Sequence, residues 1–301
     1  MIKFIHLSEA EQKPLPSWLN NLCIGAAIGS LLWLERKLPL RRSVEPKLRH
    51  DARNFVMAAS TALTIRLTEK PLAMKAMALS DNHRIGLLHR FKAPAAVKSA
   101  LAVVMLDYTL YVWHVLTHKV PFLWRFHQVH HVDLDLTATT AIRFHFGEMA
   151  ISAIYRSGQV FFIGASPRAL NLWQTLTLIE ILFHHSNVKL PMKWERLISA
   201  FVVTPRMHAI HHSTRQDETD SNWSSGMSIW DRLHRTLRLD VPQERIRIGV
   251  PAYGESSELK LWDVLSQPFR AQRQSWQDYE LHPRIRYRLG LGACRIPSLE
   301  A

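Results

Sequence analysis

The sequence predicts an all-α fold: a multi-pass membrane helical bundle of about four spans, with a mostly helical cytoplasmic cap that carries histidine boxes. Three observations predict it. Apolar runs of 15 to 20 residues occur at 18–34, 99–118, 149–163 and 169–183, close to the roughly 20 residues that a helix needs to cross a bilayer. A formal net charge of +13 is typical of basic cytoplasmic loops that contact anionic lipid. Histidines recur at helical spacing near the ends of the apolar runs.

Residues 1–95 are predicted to form an N-terminal membrane anchor region. The run 18–34 is uncharged and the basic segment 36–42 follows almost at once, so we expect this flank on the cytoplasmic side. The residues before the run lack the features of a cleaved secretory signal, so we expect the run to be retained as an anchor. The run 54–65 is uncharged but only 12 residues long, and both a crossing and a re-entrant or interfacial helix remain open.

The next predicted region, 96–240, contains the histidine boxes. Its runs 149–163 and 169–183 flank Gly164-Ala165-Ser166-Pro167, a turn-like sequence that predicts a helical hairpin. Two crossings would return the chain to the side that it left. We therefore expect the histidines before and after this hairpin to meet on one side of the membrane, the cytoplasmic side.

The last predicted region, 241–301, is a C-terminal cytoplasmic extension. From residue 186 onward the chain is polar and carries 17 of its 38 Lys and Arg residues, which favours the cytoplasm. The segment 244–250 is expected to add a short extended stretch.

Composition excludes several classes of site. The two cysteines, Cys23 and Cys294, cannot form a thiolate zinc site or an iron–sulfur cluster, which needs about four. The basic residues are spread along the chain without a recognition helix or an aromatic stacking motif, so we expect no nucleic-acid partner. A metal site in this chain must therefore be built from other ligands.

The histidines supply those ligands. Of 17 histidines, 11 lie between positions 114 and 212, and the sequences HVLTH, HQVHH and HAIHH place their members on one helix face each. The eight boxed histidines are His114, His118, His127, His130, His131, His208, His211 and His212. A tetrahedral zinc takes four ligands, and a six-coordinate iron could not use eight and keep a position open. The number of ligands therefore favours two metal ions.

A ligating imidazole needs its second nitrogen held by a hydrogen bond. Asp107 lies seven residues before His114, on the same helix face within an apolar run, where an ionisable side chain is more often functional than idle. We expect Asp107 to orient an imidazole, and we regard Asn187, Asn222 and Asp231 as further candidates for this role. A site where spans end would be open to the bilayer, which indicates an apolar substrate.

Several stretches of the chain resemble the fatty acid hydroxylase superfamily, whose sterol desaturase-like members are membrane-bound di-iron oxygenases. The stretches are DYTLYVWHVLTHKVPFLWRFHQVHH, RFHFGE, FHHSNV, TPRMHAIHHS and SNWSSGMSIWDRLHRT, within 95–240. The resemblance implies that the eight boxed histidines are iron ligands and that His185 is a ninth. It also implies a further ligand at His145, or a role near the metals for Glu148 instead.

One motif departs from the family pattern. The family usually ends its last motif with Trp-Asp-Arg-Leu-Phe-Gly-Thr, whereas this chain has His234 and Arg235 at the Phe and Gly positions. The first 90 residues and the region after 240 resemble the family only loosely, so the resemblance does not imply a substrate.

These observations predict an O2-dependent hydroxylase or desaturase that acts on a C–H bond of a sterol, a fatty-acyl chain or another apolar lipid. The expected cofactors are two iron ions with O2 as co-substrate. A separate electron-transfer protein is the expected electron source, since no flavin, haem or iron–sulfur motif is visible. The expected location is the bacterial inner membrane, with the site on its cytoplasmic side.

Two other functions remain open, a membrane metal transporter and a non-catalytic membrane protein with a structural metal. Transport ligands should lie near the middle of spans, whereas these boxes lie at span ends. A structural site should be closed by its own ligands.

Overall fold

The computed structural model describes residues 13–277, so Cys294 and both ends of the chain lie outside the described residues. Twelve α-helices are present in this part of the chain. They are α1 (Ser17–Lys37), α2 (Lys47–Thr64), α3 (Lys70–His83), α4 (Ala95–Lys119), α5 (Pro121–His131), α6 (Phe146–Ile163), α7 (Pro167–His185), α8 (Met192–Ile198), α9 (Pro205–His211), α10 (Gln216–Thr219), α11 (Ile229–Leu233) and α12 (Leu261–Ser266). Short 3-10 helices lie at Leu87–Arg90, Thr140–Ile142, Gln243–Arg245, Pro251–Tyr253, Ser256–Leu259 and Gln267–Phe269.

The all-α prediction is confirmed for these residues. In place of strands, residues 13–277 contain three isolated β-bridges, which pair Pro39 with Val188, Val202 with Met227, and Ser213 with Ile248. The sequence predicts an extended stretch at 244–250. In the structure, Ile248 of this stretch forms the bridge with Ser213.

Two of the described helices, α1 and α4, are long and apolar enough to cross a membrane. Only 6% of the apolar window of α1 is buried within the protein, against 44% for α4, so α1 offers most of its apolar surface to its surroundings. Helices α6 and α7 form the predicted hairpin, and Gly164 turns the chain between them with a φ of 73°. The count of four spans stays a prediction.

The segment 54–65 belongs to a longer helical rod. Helices α2 and α3 are joined without a break by a π-helical turn, Ile65–Glu69, in which the Lys70 amide donates to the Ile65 carbonyl. Pro71 has no amide proton to donate to the carbonyl four residues earlier, and such gaps are where π turns and kinks occur.

The main apolar core surrounds α4. Leu106, Leu110 and Trp113 of α4 pack with a group of buried side chains from α6, α7 and the turn between them. Among these are the small residues Ala165 and Ala169, which let neighbouring helix backbones approach closely. This packing holds the C-terminal end of α4 beside α5 and α7.

Candidate metal centre

Four helices bring nine histidines together: the last turns of α4, all of α5, the end of α7 and the short α9. Proline at the first position of α5 and of α9 presets the helical φ angle, and Thr204 caps α9 by accepting a hydrogen bond from the Met207 amide. Because α5 begins at Pro121, directly after α4 ends at Lys119, its histidines face those on α4.

The nine histidines form two groups. Within each group, one ring nitrogen from every member lies within 4.8 Å of the others. The first group is His114, His118, His127, His131 and His211, and the second is His130, His185, His208 and His212. All nine are buried except His118, which is partly exposed. The structure thus brings together the eight boxed histidines and His185.

The Nε2 atoms of the second group converge. His185 donates from Nδ1 to the Ile181 carbonyl at 2.8 Å, so the neutral ring has a lone pair on Nε2. That Nε2 lies 2.9 Å from Nε2 of His130 and 3.0 Å from Nε2 of His208. Adjacent ligands at about 2.1 Å from one ion, at right angles, would be separated by about 3 Å. The spacing therefore fits a shared cation.

The first group repeats this arrangement. His114 donates from Nδ1 to the Trp223 carbonyl at 2.6 Å, and His211 donates from Nδ1 to the Ser221 carbonyl at 2.9 Å. Their Nε2 atoms lie 3.1 Å apart. Two lone pairs at this distance repel unless a cation or a proton lies between them. Nε2 of His118, His127 and His131 is also buried without a hydrogen-bond partner in the described part of the chain.

Burial disfavours an added proton on these rings. Burial lowers the pKa of His185 and of His211 to about 3, and burial together with the neighbouring imidazoles lowers the pKa of His131 and of His212 well below its usual value. These rings are therefore neutral at physiological pH. Neutral imidazole is the form that binds a metal ion.

Glu148 forms a hydrogen bond to the ring of His127. It lies in the first turn of α6 and is 4% exposed, and its Oε1 accepts a hydrogen bond from Nδ1 of His127 at 2.9 Å. This bond leaves Nε2 of His127 free to face the group. A carboxylate in this position fixes the orientation of the ring and raises the basicity of its ligating nitrogen.

Asp107 does not reach an imidazole, contrary to the expectation from sequence. Seven residues span two helical turns, roughly 10 Å along the axis, which is too far for a carboxylate to contact the ring of His114. Instead Oδ2 of Asp107 accepts hydrogen bonds from Nε1 of Trp230 at 2.6 Å and from the Met227 amide at 3.1 Å. Asp107 thus holds the loop whose Trp223 carbonyl orients His114.

His145 lies outside both groups of histidines. Its Nδ1 accepts a hydrogen bond from the Gly147 amide at 2.9 Å, and its Nε2 donates to the Leu265 carbonyl at 3.0 Å. With both ring nitrogens bonded, His145 caps the start of α6 and ties it to α12. His184 packs on His208 with ring centroids 4.1 Å apart, as a neighbour of the second group.

The other candidates support the loops around the centre. Asp231 accepts hydrogen bonds from the Trp223 and Ser224 amides, and Asn222 donates to the Met207 carbonyl. Asn187 bonds to the backbone of Arg41. Among residues 13–277, none of the three has a hydrogen bond to an imidazole of the two groups.

His234 shows why the departure in the last motif is tolerated. Its ring stacks on Tyr111 at 4.9 Å and on Tyr108 at 5.8 Å between centroids, both on α4. The substituted histidine therefore packs α11 against α4.

Sequence reasoning missed a buried polar network beside α5. Asp133, two residues after His131, is bonded to His50 at 2.9 Å and lies 3.3 Å from Nη2 of Arg53. Arg53 also pairs with Glu45 at 2.6 Å. The ligand atoms of Glu45, His50 and Asp133 lie close enough for a metal, but the Arg53 guanidinium already pairs with both carboxylates. We regard the network as structural.

This network predicts a pH-dependent stability. Burial lowers the pKa of His50, but the charge and hydrogen bond of Asp133 outweigh it and raise the pKa to about 10. Because the ordinary value is about 6.5, the stabilisation is complete below pH 6.5 and is lost as the pH rises toward 10. We expect His50 to contribute a slope of about 1.4 kcal/mol per pH unit over this range. Unfolding followed from pH 6 to 10 should show a shallower slope for His50→Gln; identical slopes would refute the assignment.

The chain is similar to one protein family and to several known proteins. Residues 99–236 match the family model described as fatty acid hydroxylase. An ornithine lipid hydroxylase of Rhizobium tropici is 27% identical over 261 residues, which are 84% of this chain and 76% of that protein. No solved structure gives a significant match.

Other relatives match over shorter stretches. An alkylglycerol monooxygenase of Xenopus tropicalis is 29% identical over 50% of this chain and 32% of its own length. A cholesterol 25-hydroxylase-like protein of Danio rerio is 28% identical over 47% of this chain and 55% of its own length. The family match contains all nine gathered histidines. Residues 99–236 of the chain are therefore similar to the fatty acid hydroxylase family.

Proposed function

We propose that this protein is a membrane-bound, O2-dependent lipid hydroxylase that holds two iron ions in its two histidine groups. The observation that carries the proposal is the convergence of nine mostly buried imidazoles, six of which have Nε2 atoms only 2.9–3.1 Å from the Nε2 of another. Imidazole suits iron, and nine nitrogens exceed what one ion can bind.

The residues present fit two irons. The five-histidine group would hold one ion and the four-histidine group the other. Bound irons would supply the activation of dioxygen that oxidation of an unactivated C–H bond requires. With two electrons and two protons from a separate donor, C–H and O2 would give C–OH and H2O.

The chain's own side chains prepare the site. Carbonyl acceptors at Ile181, Ser221 and Trp223 fix the ring orientations of three histidines, and Glu148 fixes that of His127. Burial keeps water away from the rings. Because His114 and His118 lie in the last two turns of the candidate span α4, an apolar chain could approach the site from within the bilayer.

The relatives favour hydroxylation over desaturation, since their names are those of hydroxylases and monooxygenases. The ornithine lipid hydroxylase aligns over most of both chains, so we propose an acyl-bearing polar lipid as the substrate class. We place the site on the cytoplasmic side of a bacterial inner membrane, with a separate reductase as electron donor, because the flank of α1 is basic and positive flanks face the cytoplasm.

The geometry speaks against the two other functions. A transporter would place its ligands near the middle of spans, whereas the gathered histidines lie at the ends of α4 and α7 and on the short helices α5 and α9. A closed structural zinc site uses four ligands, fewer than the nine gathered here.

Iron content and lipid oxidation test the proposal together. Purified protein in lipid nanodiscs should contain about two irons per chain by elemental analysis. With a reductant and isotopically labelled dioxygen, it should add one labelled oxygen atom to a lipid, detected by mass spectrometry. Protein loaded with iron that oxidises neither ornithine lipids nor other acyl lipids nor sterols would contradict the proposal.

Replacing Glu148 by Gln should slow turnover while both irons remain. The amide can still accept from Nδ1 of His127 but loses the negative charge that raises the basicity of the ring. We expect a loss of about tenfold in kcat, at the low end of the effect of such partners. Glu244→Gln, an exposed glutamate, is the matched control and should leave kcat unchanged. Equal activity of the Glu148 variant and the control would contradict the role.

Replacing Asp107 by Asn should weaken the loop that orients His114. A hydrogen bond to a charged group contributes about 1.5–3 kcal/mol, so we expect about a tenfold lower kcat with most of the iron retained. Trp230→Phe removes the same bond from its other end. If the bond matters, the double variant should be about as slow as the slower single variant, whereas multiplied losses would show that Asp107 acts elsewhere.

A further inference from the structure

We propose that a basic cavity at the end of α1 binds the phosphate headgroup of an anionic membrane lipid. The cavity has a volume of about 510 Å³ and is formed by the end of α1, the loop to α2 and the segment after α7. Its charged lining is Arg36, Arg41, Arg42 and Lys47 with one acid, Glu35. This inference goes beyond the proposed oxygenase activity and does not depend on it.

The single acid of the cavity is fully engaged. Oε1 of Glu35 accepts hydrogen bonds from the Ala138 amide at 2.7 Å and the Asn187 amide at 2.9 Å. Its Oε2 pairs with Lys47 at 3.3 Å. Glu35 therefore binds two backbone amides and one lysine of the protein itself. The arginines of the cavity can then bind an external anion.

The three arginines form no ion pair with any residue between 13 and 277. Arg41 is anchored through Nη1, which donates to Oε1 of Gln243 at 3.2 Å, but its Nη2 is buried without a hydrogen-bond partner in that range. A buried donor left unpaired destabilises the folded protein. A phosphate oxygen would satisfy it, since guanidinium and phosphate form paired hydrogen bonds. Burial lowers the pKa of Arg41 to about 10, so the group stays charged at neutral pH.

The position of the cavity favours a lipid over a soluble anion. Arg36 lies in the last turn of α1, a candidate span. The neighbouring apolar side chains Trp33 and Leu38 are 58% and 50% exposed. A headgroup bound by the arginines could therefore lay its acyl chains along α1. Basic pockets at the cytoplasmic ends of spans are suited to anionic headgroups.

The cavity also adjoins the segment that follows the ligand candidate His185. The Leu40 amide donates to the Asn187 carbonyl at 2.9 Å, and Nδ2 of Asn187 donates to the Arg41 carbonyl at 2.8 Å. A lipid that orders the loop between α1 and α2 would thus also restrain the chain two residues after His185.

Lipid binding to the full-length protein tests the site. Delipidated protein would be titrated with phosphatidylglycerol or with phosphatidylcholine of the same acyl chains, and bound lipid counted by native mass spectrometry. We expect at least a tenfold preference for phosphatidylglycerol, lost in the double variant Arg36→Gln/Arg42→Gln. The control Arg49→Gln/Lys193→Gln removes two exposed charges outside the cavity and should keep the preference.

Competition experiments distinguish a lipid headgroup from a soluble phosphate as the bound anion. Inorganic phosphate and glycerol phosphate should compete at least a hundredfold more weakly than the lipid; equal competition would identify a soluble phosphate as the ligand and overturn the lipid assignment. Equal loss of preference in the control, or no preference in the wild type, would also overturn it. Helix content and elution volume must match among variants. Measuring binding with iron removed keeps this result separate from that of the oxygenase test.

Discussion

His211→Ala is expected to lose iron and lipid oxidation together while the protein still inserts into the membrane. His211 is fully buried, its Nδ1 is fixed by the Ser221 carbonyl, and its Nε2 lies 3.1 Å from Nε2 of His114. The substitution removes one of five nitrogens from the first group. We expect activity to fall by more than about a hundredfold, beyond the 10–100-fold that loss of an outer hydrogen-bond partner causes.

Two further variants make this result specific. His83→Ala replaces an exposed histidine at the end of α3 and should keep both iron and activity. His145→Ala tests whether a histidine with both ring nitrogens bonded is spared, and we expect it to retain both irons even if it folds less stably. Full iron content and activity in His211→Ala would refute the ligand assignment.

The histidine groups could be predicted from sequence because helix geometry is local. Spacings of three and four residues place His127, His130 and His131 on connected faces of one helix whatever surrounds it. The hairpin of α6 and α7 followed from the turn at Gly164, and it returns the chain to the side where α5 ends. Only His185 needed the family resemblance, since a single histidine at a helix end has no spacing signal.

The contacts that hold these rings could not be predicted. His114 and His211 are oriented by the carbonyls of Trp223 and Ser221, which belong to a loop without periodic pattern, and any residue type offers a carbonyl. The sequence predicts that Asp107 orients an imidazole, but its carboxylate accepts a hydrogen bond from Trp230, a partner that only tertiary structure could reveal.

The network around Asp133 was invisible for a related reason. His50 and Arg53 lie about 80 residues before Asp133 in the chain, so no local spacing links them. Each residue alone is typical of an exposed loop or helix end. Only the packing of α2 against the segment after α5 converts them into buried, mutually paired charges.

Replacing Asp133 by Asn should be the most destabilising of the substitutions considered. Asp133 is fully buried and accepts hydrogen bonds from His50 at 2.9 Å and from Thr140 at 2.9 Å. Burial opposes its charge, yet Arg143 and His50 outweigh burial and hold the pKa of Asp133 well below its usual range. The amide would leave buried cations without their anion, at a cost of about 3–5 kcal/mol.

The exposed carboxylate of Asp240 provides the control for this prediction, and the measured quantity is Tm. Asp240 pairs with Arg238 at 3.4 Å, but its side chain is 82% exposed, and such pairs contribute about 0–1 kcal/mol. Thermal unfolding of iron-free protein should therefore show a large fall in Tm for Asp133→Asn and almost none for Asp240→Asn. Because metal binding itself stabilises a folded state, iron is left out so that the difference reports the network alone. Equal Tm values for the two variants would mean that the buried charges around α5 are not what holds its C-terminal histidines in place.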